Sequence, residues 1–366
     1  MPDAWSSLNN LLEEGLRQGV YTAAVAVVGS KGALQWEGAA GRLSKDPEAQ
    51  AATLDTVFDL ASLTKPLATA LAAMILVQRG RLTLETTLGE ILQEEWLPPD
   101  KQALTLRNLL AHQAGLPAWR PFYETVLAAP PEDRAGLPAR LAAAAPLEYP
   151  PGTQTLYSDL GYMLLHAAVE TAAGRALDSF CQEEIYRPLG LTVLGFRPRS
   201  RPGGDSLAYA ATEAGLIPGR TISGEVHDEN AWAAGGVAGH AGLFGSAEEV
   251  FKLLSDIYRA YRGEAAGLFS PEVMRVFLTP VPGGRALGFD TPDSDRSRCS
   301  AGRFFSTRSV GHLGFTGVSF WLDLDTGQVV VLLTNRVHLG RDDKAKIQAF
   351  RPRFHGAAAK ALGLRE

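Results

Sequence analysis

The sequence predicts an α/β protein of the α+β kind: an antiparallel β-sheet flanked by helices, with a mostly helical domain inserted into it. Three observations point there. A helical stripe and a β-hairpin pattern open the chain. β-rich runs return near its C-terminus. Between them, from about residue 82 to 212, helix signals alternate with proline and glycine. The sheet domain is therefore expected from residues 1–82 plus 260–366, and the helical domain from 83–259.

Each element has its own reason. Trp5, Leu8, Leu11, Leu12 and Leu16 recur at helical spacing over residues 5–18. Residues 23–28 form a short β-rich run, Gly29-Ser30-Lys31-Gly32 supplies a turn, and residues 33–38 read as the returning strand. The apolar run at 67–77 reads as a buried helix ending at Gly80. Residues 104–112, 131–145, 158–173 and 177–186 carry further helix signals. Residues 235–245 read as a long glycine-dense loop, and Ser246-Ala247-Glu248-Glu249 caps a helix reaching about Tyr261. Residues 304–311 and 318–324 are candidate strands. Asp325-Thr326-Gly327 turns the chain into residues 328–334, a Val/Leu-rich strand expected in mid-sheet. A helix over about 342–362 closes the chain. No repeat period is visible.

Composition narrows the function classes. With 366 residues, 46% hydrophobic and 20% charged, the chain has ample material for a globular core. A net charge of −5 and the absence of a basic stripe argue against a nucleic-acid partner. Two short basic runs, Arg197 to Arg201 and Arg351 to Arg353, are interleaved with proline and read as solvated loop or helix-end charges. Cys181 and Cys299 form no disulfide framework, and no Cys/His spacing suggests zinc. The N-terminus opens an amphipathic helix, without the basic and apolar segments of a signal peptide. No uninterrupted apolar stretch of about 18 residues is present, so no membrane span is expected. The cytoplasm is the expected location.

Chemistry concentrates in three stretches. In Ala61-Ser62-Leu63-Thr64-Lys65 a hydroxyl and an amine stand three residues apart at the start of an apolar helix. Positions i and i+3 share a helix face, about 5–6 Å apart, so Ser62 and Lys65 can meet. Serine is a weak nucleophile at neutral pH and needs a base, which a buried lysine can supply. Pro66 fits the first turn, and free amides there would face a developing oxyanion. Such a tetrapeptide also arises by chance in a chain this long. Tyr157-Ser158-Asp159 opens the helix at 158–173. Tyr157 can act as a general base if neighbouring cations lower its pKa, and Asp159 can anchor Lys65 or a substrate amide. The alternative makes Ser158 an N-cap and Tyr157 a half-buried aromatic. Gly311-His312-Leu313-Gly314-Phe315-Thr316-Gly317 opens a hairpin. Small residues there let a substrate lie along a strand edge, and the amide near Phe315 can be a second oxyanion donor beside that of Ser62. A glycine-marked bulge with a packed histidine is the alternative.

In this order the three stretches resemble the S-x-x-K, S-D-N and K-T-G motifs of the penicillin-recognising serine enzymes. Their surroundings are similar to the class C β-lactamase-related branch, which includes D-alanyl-D-alanine peptidases, D-aminopeptidases and family VIII-type esterases. Supporting phrases are Leu109 to Leu116, Tyr186 to Gly190 and Gly239 to Phe244. The resemblance implies a β-lactamase/transpeptidase-like fold and an acyl-enzyme on Ser62. Lys65 would hold its proton network and Tyr157 would serve as base and acid. Asp159, His312, Gly314 and Phe315 would line the substrate. It implies no metal and no cofactor.

Two departures bear on the substrate. Asp159 stands where the family commonly has Asn, and a carboxylate there should raise the Lys65 pKa, leaving Tyr157 as the expected base. The third motif lacks the usual Lys and Thr. His312 is mostly neutral at pH 7 and Leu313 has no donor. Losing one charge-assisted hydrogen bond costs about 1.5–3 kcal/mol. An esterase or amidase acting on small uncharged acyl substrates is therefore expected, ahead of a β-lactamase or a cell-wall peptidase. An acyltransferase and a non-turnover penicillin-binding or sensor domain are the other readings. His227, Asp228, Glu229, Asn230 and His240 could rim the pocket or brace loops. His112 reads as structural. Trp119 and Trp232 could form an apolar acyl pocket or belong to the core.

Overall fold

The run at residues 23–28 becomes the second strand of a five-stranded sheet. A computed structural model of the protein describes residues 4–217, 220–264, 267–295 and 299–364. Its strands are β1 (Ala23–Ser30), β2 (Ala33–Gly41), β3 (Phe58–Asp59), β4 (Gly195–Phe196), β5 (Ala214–Ile217), β6 (Arg220–Thr221), β7 (Leu243–Gly245), β8 (Val310–Leu313), β9 (Ser319–Leu322) and β10 (Gln328–Thr334). The main sheet runs β2-β1-β10-β9-β8, antiparallel throughout. The two ends of the chain thus meet in mid-sheet, where Val25 pairs with Leu333 and Val27 with Val331.

Both faces of this sheet are covered. Val25, Val27, Val331 and Leu333 point into a large apolar core shared with the helical block. Ala24, Ala26, Val28, Val330 and Leu332 point into a second core beneath the terminal helices Ala4–Arg17 and Ala345–Ala361. Burial on both sides is why β1 and β10 read as continuous apolar runs instead of alternating ones. Each Val or Leu fully buried there contributes about 1.5–3 kcal/mol relative to exposure.

Helix Asp159–Ala173 starts as expected, with Ser158 Oγ accepting from Gly161 N at 3.2 Å. Ser246 likewise caps Ala247–Arg262. That helix packs on β1 and β10, so the boundary expected at residue 259 falls within an element of the sheet layer. The large core runs without a break from Val331 to Leu164 across the expected division.

Two expectations change. Of the candidate strand at 304–311 only residues 310 and 311 are extended, as the start of β8. Asp323 Oδ2 accepts from Ser306 N at 2.8 Å and from Ser309 Oγ at 3.3 Å, and these side-chain bonds hold a turn in place of a ladder. The glycine-dense stretch at 235–245 ends in β7, which pairs with both β3 and β4. Segment Ala61–Gln78 is long and apolar enough to cross a membrane, but 83% of it is buried inside the protein. It is the central core helix.

Candidate active site

The segment carrying Ser62 is not one regular helix. A 3₁₀ turn (Ala61–Leu63) leads into a π turn (Lys65–Thr69) and then the α-helix Ala70–Gln78. β3 delivers the chain to this turn, and Ala61 takes a left-handed φ of 47°. For a residue with a β-carbon such a conformation costs on the order of 1–3 kcal/mol and persists only where neighbours enforce it. Here Asp59 Oδ1 accepts from Ala61 N at 2.8 Å, and Thr64 Oγ1 donates to the Ala61 carbonyl at 2.6 Å. Asp59 Oδ2 also accepts from His227 N at 2.7 Å. Burial raises the Asp59 pKa to about 6, against the pull of these amides.

Lys65 is completely buried. Its Nζ lies 3.2 Å from Ser62 Oγ, 3.1 Å from the His240 carbonyl and 2.6 Å from Asp159 Oδ1. Burial alone would pull its pKa down. The charge of Asp159, followed by that of Tyr157, outweighs this and holds it above the ordinary lysine value. The effect expected of Asp159 on Lys65 is therefore present in the folded chain.

Tyr157 lies against Lys65, whose Nζ is 4.8 Å from the centre of its ring, and lines the same cleft as Ser62. Burial pushes its pKa up. The Lys65 charge pulls it back only in part, and Asp159 pushes it up again. The resting group is a neutral phenol. His112 stacks on its ring with centroids 4.5 Å apart, and His112 Nδ1 accepts from Ser158 N at 3.0 Å. His112 thus braces the second motif.

The third motif lies along β8, the edge strand. His312 pairs with Phe320, so its side chain lies on the sheet face turned to the helical block, 5.9 Å ring to ring from Tyr157. Burial lowers its pKa to about 4, so it is neutral at pH 7. Gly314 follows. A β-carbon there would stand 2.9 Å from the Leu60 carbonyl and 3.3 Å from Ala61 Cβ. Only glycine lets the two turns approach this closely, and this approach brings Phe315 beside Ser62. Neither the Ser62 nor the Phe315 amide donates to a backbone carbonyl among the described residues.

Ser62, Tyr157, His312, Gly314 and Phe315 line one cleft of about 420 Å³. Asp159 reaches it through Lys65. The same cleft is lined by Arg285, Arg336, Lys344 and Arg351, which the motif reading missed. Arg285 ion-pairs with Asp290 and lies 5.3 Å from the centre of the Tyr157 ring. Lys344 Nζ lies 5.1 Å from that of Phe315. Arg353 is a surface charge paired with Glu14, as expected. Arg351, read as solvated, is 6% exposed, because the C-terminal helix packs it against the β8–β9 turn. No local signal marks these residues, since each reaches the cleft through tertiary packing.

The loop residues resolve into braces. His240 Nε2 meets Asp228 Oδ1 at 2.9 Å, and His227 Nε2 meets Glu213 Oε2 at 2.7 Å. His227 also stacks on Phe315, with centroids 5.6 Å apart. Trp119 and Trp232 are exposed rather than core. Trp232 borders a separate cavity of about 270 Å³ with Tyr123, Leu127 and His227.

A hydroxyl set beside an ammonium and a phenol, in a cleft also lined by Phe315, is suited to acyl transfer. The Beta-lactamase family model matches residues 8–351. A putative D-alanyl-D-alanine carboxypeptidase of Escherichia coli (strain K12) is 32% identical over 308 residues, covering 78% of this chain and 70% of the relative. An N-acetylmuramyl-L-alanine amidase of Bacillus subtilis (strain 168) is 33% identical over 306 residues, covering 77% and 68%. The crystal structure of SurE superposes with a TM-score of 0.71 at 25% identity, over 98% of this chain and 76% of that one. The chain belongs to the Beta-lactamase family and is a serine hydrolase of its fold.

Proposed function

We propose that the protein cleaves the amide or ester bond of a small acyl substrate bearing a carboxylate beside the scissile bond, through an acyl-enzyme on Ser62. The observation that carries this reading is the cationic lining of the cleft by Arg285 and Lys344. The expectation of uncharged substrates rested on His312 and Leu313 alone. The Arg285 guanidinium and the Lys344 ammonium line the cleft whose third motif lacks its lysine, which supports a charged substrate. A carboxylate taken from water needs such charge-assisted partners. The relatives support amide cleavage, since one is named a D-alanyl-D-alanine carboxypeptidase and another an amidase. A D-alanyl-D-alanine terminus places a free carboxylate next to its scissile amide.

The resting protonation states set the proposed chemistry. Ser62 Oγ attacks the carbonyl carbon, and its proton passes to Tyr157 Oη. Tyr157 hands its own proton to the leaving nitrogen or oxygen, so the phenol is regenerated and no free phenolate is needed. Lys65, held charged by Asp159, stabilises the negative charge that builds on both oxygens. The amides of Ser62 and Phe315 receive the carbonyl oxygen. Water repeats the sequence in reverse roles to release the acid.

A second reading is hydrolysis of, or acyl transfer from, uncharged esters. It is favoured by the mostly apolar cavity lined by Trp232 and by His227, whose ring stacks on Phe315 of the cleft. One assay separates the two. Wild type and Ser62→Ala are compared on an N-acylated D-alanyl-D-alanine, its C-terminal amide, p-nitrophenyl acetate and butyrate, and nitrocefin. Ser62-dependent cleavage of the free acid, about one to two powers of ten ahead of the amide form, is expected. Equal rates on acid and amide, with faster ester turnover, would favour the second reading.

A further inference from the structure

The buried guanidinium of Arg351 is the least explained charge in the molecule. It sits on the C-terminal helix Ala345–Ala361, far in sequence from all three motifs. Among the described residues, its hydrogen bonds go only to carbonyl oxygens: Nη2 donates to Gly314 O and to Val318 O, both at 2.8 Å. Its Nε is buried without a hydrogen-bond partner among the described residues. Burying a cation without a carboxylate mate is costly, and such a group is retained where it performs a task.

Its position suggests the task. Gly314 O and Phe315 N belong to one peptide plane. In a trans peptide the C=O and N–H point in opposite directions. Arg351 therefore grips the carbonyl end of the unit whose N–H is read as the second oxyanion donor. A charged donor on a carbonyl polarises the whole amide and strengthens the bond its N–H can give. A second arginine holds the next peptide, with Arg336 Nε donating to Phe315 O at 3.0 Å. The other oxyanion peptide is built alike but with a neutral group, since Thr64 Oγ1 donates to Ala61 O at 2.6 Å.

We propose that Arg351 is a positioning residue for catalysis: its guanidinium fixes and polarises the Gly314–Phe315 peptide so that Phe315 N–H can stabilise the oxyanion. This inference rests on the reading of Ser62 as nucleophile and the Phe315 amide as oxyanion donor.

The test compares wild type, Ser62→Ala, Arg351→Gln, Arg351→Lys and Arg336→Gln. Three quantities are read: kcat and KM for p-nitrophenyl butyrate, inhibition by phenylboronic acid, and thermal stability. The boronate adds to the serine oxygen and places a negative oxygen where the oxyanion forms. Arg351→Gln is expected to lower kcat about 10- to 30-fold, with KM within about twofold, and to weaken phenylboronic acid by a similar factor. Arg351→Lys keeps a charge but not the two-carbonyl grip, so it should fall between Gln and wild type. It carries the test if the Gln variant does not fold. A residue that only supports the fold would lower stability while the folded fraction kept wild-type boronate affinity, and that result would overturn the proposal. So would unchanged kcat and boronate affinity in both Arg351 variants. Should Ser62→Ala itself retain turnover and boronate binding, the underlying reading fails instead.

Discussion

Asp159 lies 2.6 Å from the ammonium of a lysine with no solvent exposure, Lys65. This pair sets the charge state of the whole cleft. Without the carboxylate, burial would dominate and the lysine would lose its proton more readily. With it, the folded pKa lies above the unfolded one. The stability this lends is full below the ordinary lysine value of about 10.4 and is lost only as pH rises through the folded pKa. Asp159→Asn should therefore move the alkaline limb of kcat/KM down by at least about one pH unit. Profiles from pH 6 to 10 for both proteins would show it, and superimposable profiles would reject the pairing as the controlling contact.

Tyr157→Phe removes the proton relay while leaving the ring stacked on His112. Kcat should fall by about 10² to 10⁴, with KM little changed. A variant retaining most of its turnover would assign the relay to Lys65 alone.

Gly314→Ala should affect fold and function together. The added methyl must displace Val318, the Leu60 carbonyl or Ala61, which carry the two oxyanion turns. Overpacking of this kind costs about 1–3 kcal/mol, and activity should fall further than stability does. Thermal melts alongside ester turnover would test this, and a stable, fully active variant would contradict the close approach.

Asp59 predicts a pH-dependent contribution of opposite sign to that of most carboxylates. Its folded pKa of about 6 lies above the ordinary value of 3.8. Its contribution to stability is therefore full below about 3.8 and lost as pH rises through about 6. Relative to Asp59→Asn, wild type should lose on the order of 3 kcal/mol between pH 4 and 7. Denaturant melts across that range would measure the difference, and parallel curves would show that Asp59 does not titrate there.

Much of the site was legible because its chemistry is local. Ser62 and Lys65 are three residues apart, Tyr157 adjoins a capped helix start, and His312 to Phe315 are marked by glycine. The effect of Asp159 on Lys65 followed from charge alone. The unlit parts are those whose role depends on remote partners. The strained φ of Ala61, the acceptance of its amide by Asp59, and the stacking of His112 on Tyr157 are products of packing.

The sequence by itself determined the class of fold, the two-ended sheet and the three reactive stretches, because period, turn residues and motif spacing act within a few residues of each other. Tertiary structure alone decided the charge of the cleft. Arg285 and Arg336 come from two segments and Lys344 and Arg351 from the C-terminal helix and its N-cap, and only the packing of that helix against the β8–β9 turn brings them together. Electrostatic recognition depends on distance in space and on exclusion of water, and neither can be read along the chain.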